Sequence, residues 1–172
     1  MKRPLALLVL SLAILPLAGC GLQPMYAGGG NGAVAQGLAG IEVPAIEGKA
    51  GWLVRNALSD RLAATGGHGQ SPRYRLDVRL DDKLQGLGLL SDDTIGRERR
   101  TLRARYQLVD LTDDRILLDA TAGADAGVDV VSSEYATIAA EQTALENLSK
   151  ELADRIITSL ALHLRKGAAA RP

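Results

Sequence analysis

The sequence predicts an α+β fold: a four-stranded, mostly antiparallel sheet with two helices packed on one face. Two patterns predict it. In some segments apolar and polar residues alternate, as in half-buried strands, and in others apolar residues recur every fourth position, as in amphipathic helices. The chain has 172 residues, enough for one domain. Its core must rest on Leu, Ile, Val and Ala, because Phe is absent and Trp occurs once.

The N-terminal residues are typical of a secretory signal peptide. Lys2 and Arg3 precede an apolar run over residues 5–17, shorter than the roughly 20 apolar residues that a membrane-spanning helix needs. The tetrapeptide "LAGC", which ends at Cys20, resembles the lipobox of bacterial lipoproteins. We therefore expect residues 1–19 to be a lipoprotein signal peptide and Cys20 to carry the lipid. The alternative is an ordinary signal peptide with an incidental cysteine.

The segment after the cysteine favours a spacer. Residues 20–37 are rich in glycine and have little to bury, which predicts a flexible lipidated tether ahead of a domain over residues 38–166. Gly21, rather than Asp, follows the cysteine. Since Asp at this place retains many lipoproteins at the inner membrane, class analogy predicts the outer membrane, with the anchor at its periplasmic face.

The first half of the domain predicts a short strand and a helix. Residues 38–43 predict a strand, which Pro44 ends or places at an edge because it lacks an amide donor. Residues 51–64 predict a helix with Val54, Leu58 and Leu62 on one face.

The second half predicts three strands and a long helix. Residues 72–82 and 100–111 alternate, and residues 115–124 form a hairpin with the latter through a turn at Asp113 and Asp114. The leucine-rich stretch between the first two strands is predicted to be a loop. The last helix is predicted over residues 135–166, because five apolar residues recur four apart, and residues 167–172 should form a disordered tail. Those five residues are Leu148, Leu152, Ile156, Leu160 and Leu164.

The sequence contains no pattern typical of an active site. His68 lies in a glycine-rich turn and His163 near a helix end, and no partner stands at metal-ligand spacing. Nucleophile-elbow, phosphate-loop and dinucleotide motifs are absent. We therefore expect no enzyme activity, metal or cofactor, and a periplasmic hydrolase would lack a nucleophile–base pair.

Arginines are concentrated in "GRERRTLRAR", residues 96–105. Alternation predicts that four of them share the outward face of a strand with two from the preceding strand. Guanidinium groups bind phosphate bidentately and stay charged, so this face is a candidate for lipopolysaccharide phosphates, with no role in nucleic-acid binding. The alternative is a solvated face with internal salt bridges. The candidate residues are Arg97, Arg99, Arg103, Arg105, Arg75 and Arg79.

Three stretches resemble the LptE family of lipopolysaccharide-assembly lipoproteins: "AGCGLQPMYA", "LRARYQLVDLTDDRILLDATA" and "SSEYATIAAEQTALENLSKELADRIITSLALHL". The resemblance implies two helices packed on a four-stranded sheet and a place as plug inside the outer-membrane β-barrel LptD. It also implies a role without catalysis, in the last step of lipopolysaccharide transport to the cell surface. The leucines of residues 84–90 are then candidates for contact with lipid or barrel. The alternative is a lipoprotein scaffold of another envelope complex, for barrel assembly or cell-wall synthesis.

Overall fold

A computed structural model of the chain describes residues 32–66, 71–89 and 95–169. These residues contain three helices and four strands, which surround one continuous core. In chain order these are α1 (Ala33–Ala39), β1 (Ile41–Glu42), α2 (Gly48–Ala63), β2 (Tyr74–Leu89), β3 (Ile95–Asp110), β4 (Ile116–Asp129) and α3 (Glu134–Ala169). The signal peptide, Cys20 and the first part of the predicted tether lie outside the described residues.

The four strands form one mixed sheet in the order β1-β2-β3-β4. β1 pairs with β2 in parallel, whereas the β2–β3 and β3–β4 pairs are antiparallel. The α+β class and the four strands were predicted. The predicted first strand is shortened to the two residues of β1, because Leu38 belongs to α1.

The prediction of a loop over the leucine-rich stretch is wrong for residues 83–89, which continue β2. They pair with β3 from Lys83 opposite Thr101 to Leu89 opposite Ile95. Gly86 and Gly88 suggested a break, and residues 81–87 are exposed, so no buried face marked them as strand. These residues form a strand because β3 provides backbone hydrogen-bond partners along their whole length.

The helix α1 corrects both the predicted tether and the predicted number of helices. Residues 33–37 were assigned to the tether, yet they lie in a helix whose Val34 and Leu38 are buried. This short helix packs against α3. A Cβ atom added to Gly37 would lie 3.0 Å from Leu164 Cδ1, so the glycine permits this close contact.

The two longer helices agree with the predicted periodicity. Val54, Leu58 and Leu62 of α2 are buried as predicted, and α2 packs chiefly against α3. α3 lies over β4 and β3 and continues to Ala169, so the predicted tail is helical over its first three residues. None of the described helices is long and apolar enough to span a membrane.

The turn between β3 and β4 is stabilised by its aspartates. Asp114 adopts a left-handed φ of 53°, and Asp113 accepts a hydrogen bond from the Arg115 amide at 3.2 Å. Asp110 accepts one from the Thr112 amide at 2.9 Å, and this bond lowers the pKa of the Asp110 carboxyl. Short acidic side chains therefore form this turn without a glycine.

Candidate functional site: the arginine face

The outward side of β2, β3 and β4 forms a charged surface, which we call the arginine face. Alternate residues such as Leu76, Leu102 and Leu108 are fully buried beneath the helices, so their neighbours along each strand point away from the core. All six predicted arginines lie on this outward side. Its basic residues are Arg75, Arg79, Lys83, Arg97, Arg99, Arg103 and Arg105; its acidic residues are Asp77, Asp81, Asp119, Asp125 and Asp129.

Three of the six predicted arginines are neutralised by neighbouring carboxylates. The ion pairs join Arg75 to Asp77 at 3.0 Å and Arg97 to Asp129 at 3.4 Å. Arg105 binds both carboxylate oxygens of Asp119, at 3.1 and 2.8 Å. Hydrogen bonds from Arg105 and Gln107 lower the pKa of Asp119 to about 2. The alternative interpretation, a face with internal salt bridges, therefore applies to half of the predicted set.

The other three, Arg79, Arg99 and Arg103, have no carboxylate within salt-bridge distance among the residues that the structure describes. Arg79 lies directly opposite Arg105, a like-charge pair that is unfavourable in a sheet. Arg103 lies opposite Asp81, but that carboxylate is paired with Lys83 at 2.9 Å. The face therefore carries an excess of two positive charges, and its unpaired charge is concentrated on β2 and β3.

Arg79, Arg103 and Arg105 line one shallow groove on this face, together with Thr121, Gly123 and Asp81, whose carboxylate is paired with Lys83. Gly123 lets the Arg103 side chain lie close to the sheet, because a Cβ atom on Gly123 would be 3.3 Å from Arg103 Cγ. Three guanidinium groups thus border an open surface with a hydroxyl at its edge. This arrangement can bind an anion such as phosphate, because guanidinium nitrogens present paired donors in one plane.

Arg100, the one arginine of residues 96–105 that was not assigned to this face, points to the opposite side of the sheet. It binds both oxygens of Asp82, at 3.0 and 2.7 Å, and donates to the Glu141 carbonyl of α3 at 3.1 Å. The pKa of Arg100 is raised, chiefly by the hydrogen bond to Asp82. Arg100 therefore fixes the N-terminal half of α3 to the sheet, and the predicted alternation excluded it correctly.

Apolar side chains are exposed where the sheet extends towards the N-terminus of α3. Tyr135 and Ile138 of α3 are 85% and 53% exposed, and Leu84 and Leu87 of β2 are 42% and 36% exposed. The sequence predicted an exposed contact for the leucines, but not for Tyr135 or Ile138. The apolar stripe of α3 passes through Ile138, so the helical spacing predicts a buried residue there rather than an exposed one.

The comparisons with known proteins point to envelope lipoproteins. A protein from Caulobacter crescentus CB15, solved as a candidate lipoprotein, is 26% identical; the match covers 78% of this chain and 98% of that one, with a TM-score of 0.64. A minor lipoprotein from Acinetobacter baumannii is 18% identical over 71% of this chain and 88% of its own, with a TM-score of 0.56. Rare lipoprotein B from Shewanella oneidensis is 13% identical over 70% and 91%, with a TM-score of 0.51.

No curated protein sequence matches the chain significantly. The family model for LptE, described as lipopolysaccharide-assembly, matches residues 38–160. That span includes every strand of the sheet, the arginine face, α2 and most of α3. The chain therefore belongs to the LptE family of lipopolysaccharide-assembly proteins.

Proposed function

We propose that this chain is the lipoprotein subunit of the outer-membrane lipopolysaccharide translocon. In this role it plugs the LptD barrel, supports assembly of that barrel and binds lipopolysaccharide for delivery to the outer leaflet. The protein makes and breaks no bond. The family match carries the proposal, because it spans nearly all of the described domain.

The arginine face is the proposed lipopolysaccharide site. The phosphates of lipopolysaccharide are anions, and Arg79, Arg99 and Arg103 have no salt-bridge partner among the described residues to compete for their donors. Arg79 and Arg103 line the same groove, so a phosphate bound there would meet two guanidinium groups without a carboxylate partner among the described residues. The paired arginines, Arg75, Arg97 and Arg105, contribute less, since carboxylates already accept their hydrogen bonds.

The anchor and the apolar residues complete the proposal. Acylation of Cys20 would hold the protein at the periplasmic face of the outer membrane. Stable attachment requires more than one lipid chain, and the lipidated cysteine of this class of protein carries three. The exposed leucines of β2, together with Tyr135 and Ile138, form the proposed contact with barrel or lipid. The alternative role, as scaffold of another envelope complex, needs the anchor and the fold but gives the unpaired arginines no task.

Binding to intact and dephosphorylated lipopolysaccharide tests the proposed site. We expect removal of the phosphates to weaken binding about tenfold or more, because hydrogen bonds between charged groups each contribute roughly 1.5–3 kcal/mol. Affinity for the intact lipid should also fall as salt is added. Equal affinity for the two lipids would contradict phosphate recognition and leave only apolar contact.

A further inference from the structure

β4 is the last strand of the sheet, and in the described part of the chain no strand pairs with its outer side. It has 14 residues, well above the strand length of about 5–6 residues that is most common. Long open edges offer a row of unpaired backbone groups, so proteins usually shorten or cover them. Across the described elements, β4 is neither short nor covered by another strand.

Two hydrogen bonds show which backbone groups of β4 face the open side. The Val130 amide donates to the Gly96 carbonyl of β3 at 3.2 Å, while Arg155 of α3 donates to the Gly123 carbonyl. Backbone groups alternate between the two edges of a strand. The amides and carbonyls of even-numbered residues therefore bond to β3, and those of odd-numbered residues point to the open edge. The register between β3 and β4 is regular over this part. The amide and carbonyl of Asp125 therefore point to the open edge.

The side chains of β4 indicate what would fit there. The side chains of its odd-numbered residues lie on the arginine face. Asp119 and Asp129 are paired there with Arg105 and Arg97, and the strand contains no Lys or Arg. Asp125 is exposed and has no ion-pair partner among the described residues. β3 beside it carries arginines, so a strand added at β4 with basic residues on this face would continue the alternation of charge. The even-numbered residues of β4, whose side chains lie on the opposite side beneath α3, are mostly alanine, so an added strand would meet an apolar surface there.

We propose that the open edge of β4 binds an extended protein segment as a fifth strand, one with Lys or Arg on the side of the sheet where Asp125 lies. A second copy of this chain fits less well, because antiparallel pairing of two β4 edges would bring their aspartates together. The inference goes beyond the proposed lipopolysaccharide role and does not depend on it.

Arg155 occupies one of the backbone acceptors on this edge. Its guanidinium donates to the Gly123 carbonyl and also pairs with Glu151 at 2.6 Å. An incoming strand needs that carbonyl as an acceptor, so it must displace Arg155, which can stay paired with Glu151. Removing the side chain should therefore expose the edge without disturbing the β3–β4 ladder.

A synthetic peptide in which lysine and valine alternate tests the proposal against the lipidated protein in detergent. We expect Arg155→Ala to bind a fluorescent form of the peptide about threefold more tightly than the unchanged chain. Asp125→Ala should weaken binding about threefold through loss of the charge pair. Asp125→Pro should abolish it, since proline also removes the outward amide. The Pro and Ala variants form a matched pair, because only the first changes the backbone donor.

Two control peptides separate strand addition from simple charge attraction. A peptide with glutamate in place of lysine, and one N-methylated at alternate backbone amides, should both fail to bind. Equal binding of the N-methylated peptide, equal binding to Asp125→Pro and Asp125→Ala, or no binding to Arg155→Ala would overturn the proposal. Dimerisation of Arg155→Ala would also overturn it, in favour of a second copy. Lipopolysaccharide affinity should be unchanged in Arg155→Ala, because Arg155 lies on α3 and is not part of the arginine face, so this result and the test of the proposed function are independent.

Discussion

Replacement of both Arg79 and Arg103 by glutamate is expected to lower the affinity for lipopolysaccharide about 30-fold or more. These residues lie on neighbouring strands, border the same groove and have no carboxylate partner among the described residues. Each loses a charge-assisted hydrogen bond, worth roughly 1.5–3 kcal/mol, and each glutamate adds repulsion of the phosphate. Lipopolysaccharide binding to the purified lipidated protein measures the change.

The matched control reverses two arginines that already have partners, Arg75 and Arg97. This double variant changes the net charge by the same amount on the same face, yet its arginines are held by Asp77 and Asp129. We expect less than about a threefold loss, since exposed ion pairs contribute little and bulk charge is screened by salt. Both double variants should unfold at the temperature of the unchanged protein. An equal loss of affinity in the two would mean that net charge, rather than the groove, determines binding.

Gly51→Ala is expected to destabilise the domain by about 2 kcal/mol, a large effect for one methyl group. Gly51 lies in α2, and a Cβ atom there would overlap the Ile46 carbonyl oxygen, which cannot rotate away because it belongs to the backbone. The preceding segment is held in place by a 3.1 Å hydrogen bond from Arg55 to the Val43 carbonyl. Overpacking of this kind typically costs about 1–3 kcal/mol. Urea denaturation measures the change in the free energy of unfolding.

Gly167→Ala provides the control for Gly51→Ala. Gly167 is also helical, but a Cβ atom there meets nothing within 4 Å among the described residues. Alanine favours a helix over glycine by up to about 1 kcal/mol, so this variant should be neutral or slightly stabilising. If Gly51→Ala proved equally harmless, residues 43–47 could not lie as close to α2 as the structure places them.

The sequence was sufficient for features that depend on periodicity. Alternation placed all six arginines on one side of the sheet and excluded Arg100, and the four-residue spacing located α2 and α3. Features that depend on distant partners were not predictable. α1 is short, and Val34 and Leu38 become informative only once α3 covers them.

The division between paired and unpaired arginines was likewise hidden in the sequence. It depends on strand register, which sets Arg79 opposite Arg105 and brings Asp119 within reach of Arg105. The extension of β2 was missed because its exposed residues carry no buried face to read, and the parallel pairing of β1 because two residues give no periodic signal. Charge pattern thus located the candidate site, whereas register determined which of its members are available to a ligand.

A pull-down of the tagged, lipidated chain from detergent-solubilised membranes, followed by mass spectrometry of the bound proteins, tests the translocon role most directly. The proposed function predicts that LptD is retained in near-stoichiometric amount. Absence of LptD, with the components of a barrel-assembly or cell-wall synthesis complex in its place, would contradict that function and favour the scaffold role.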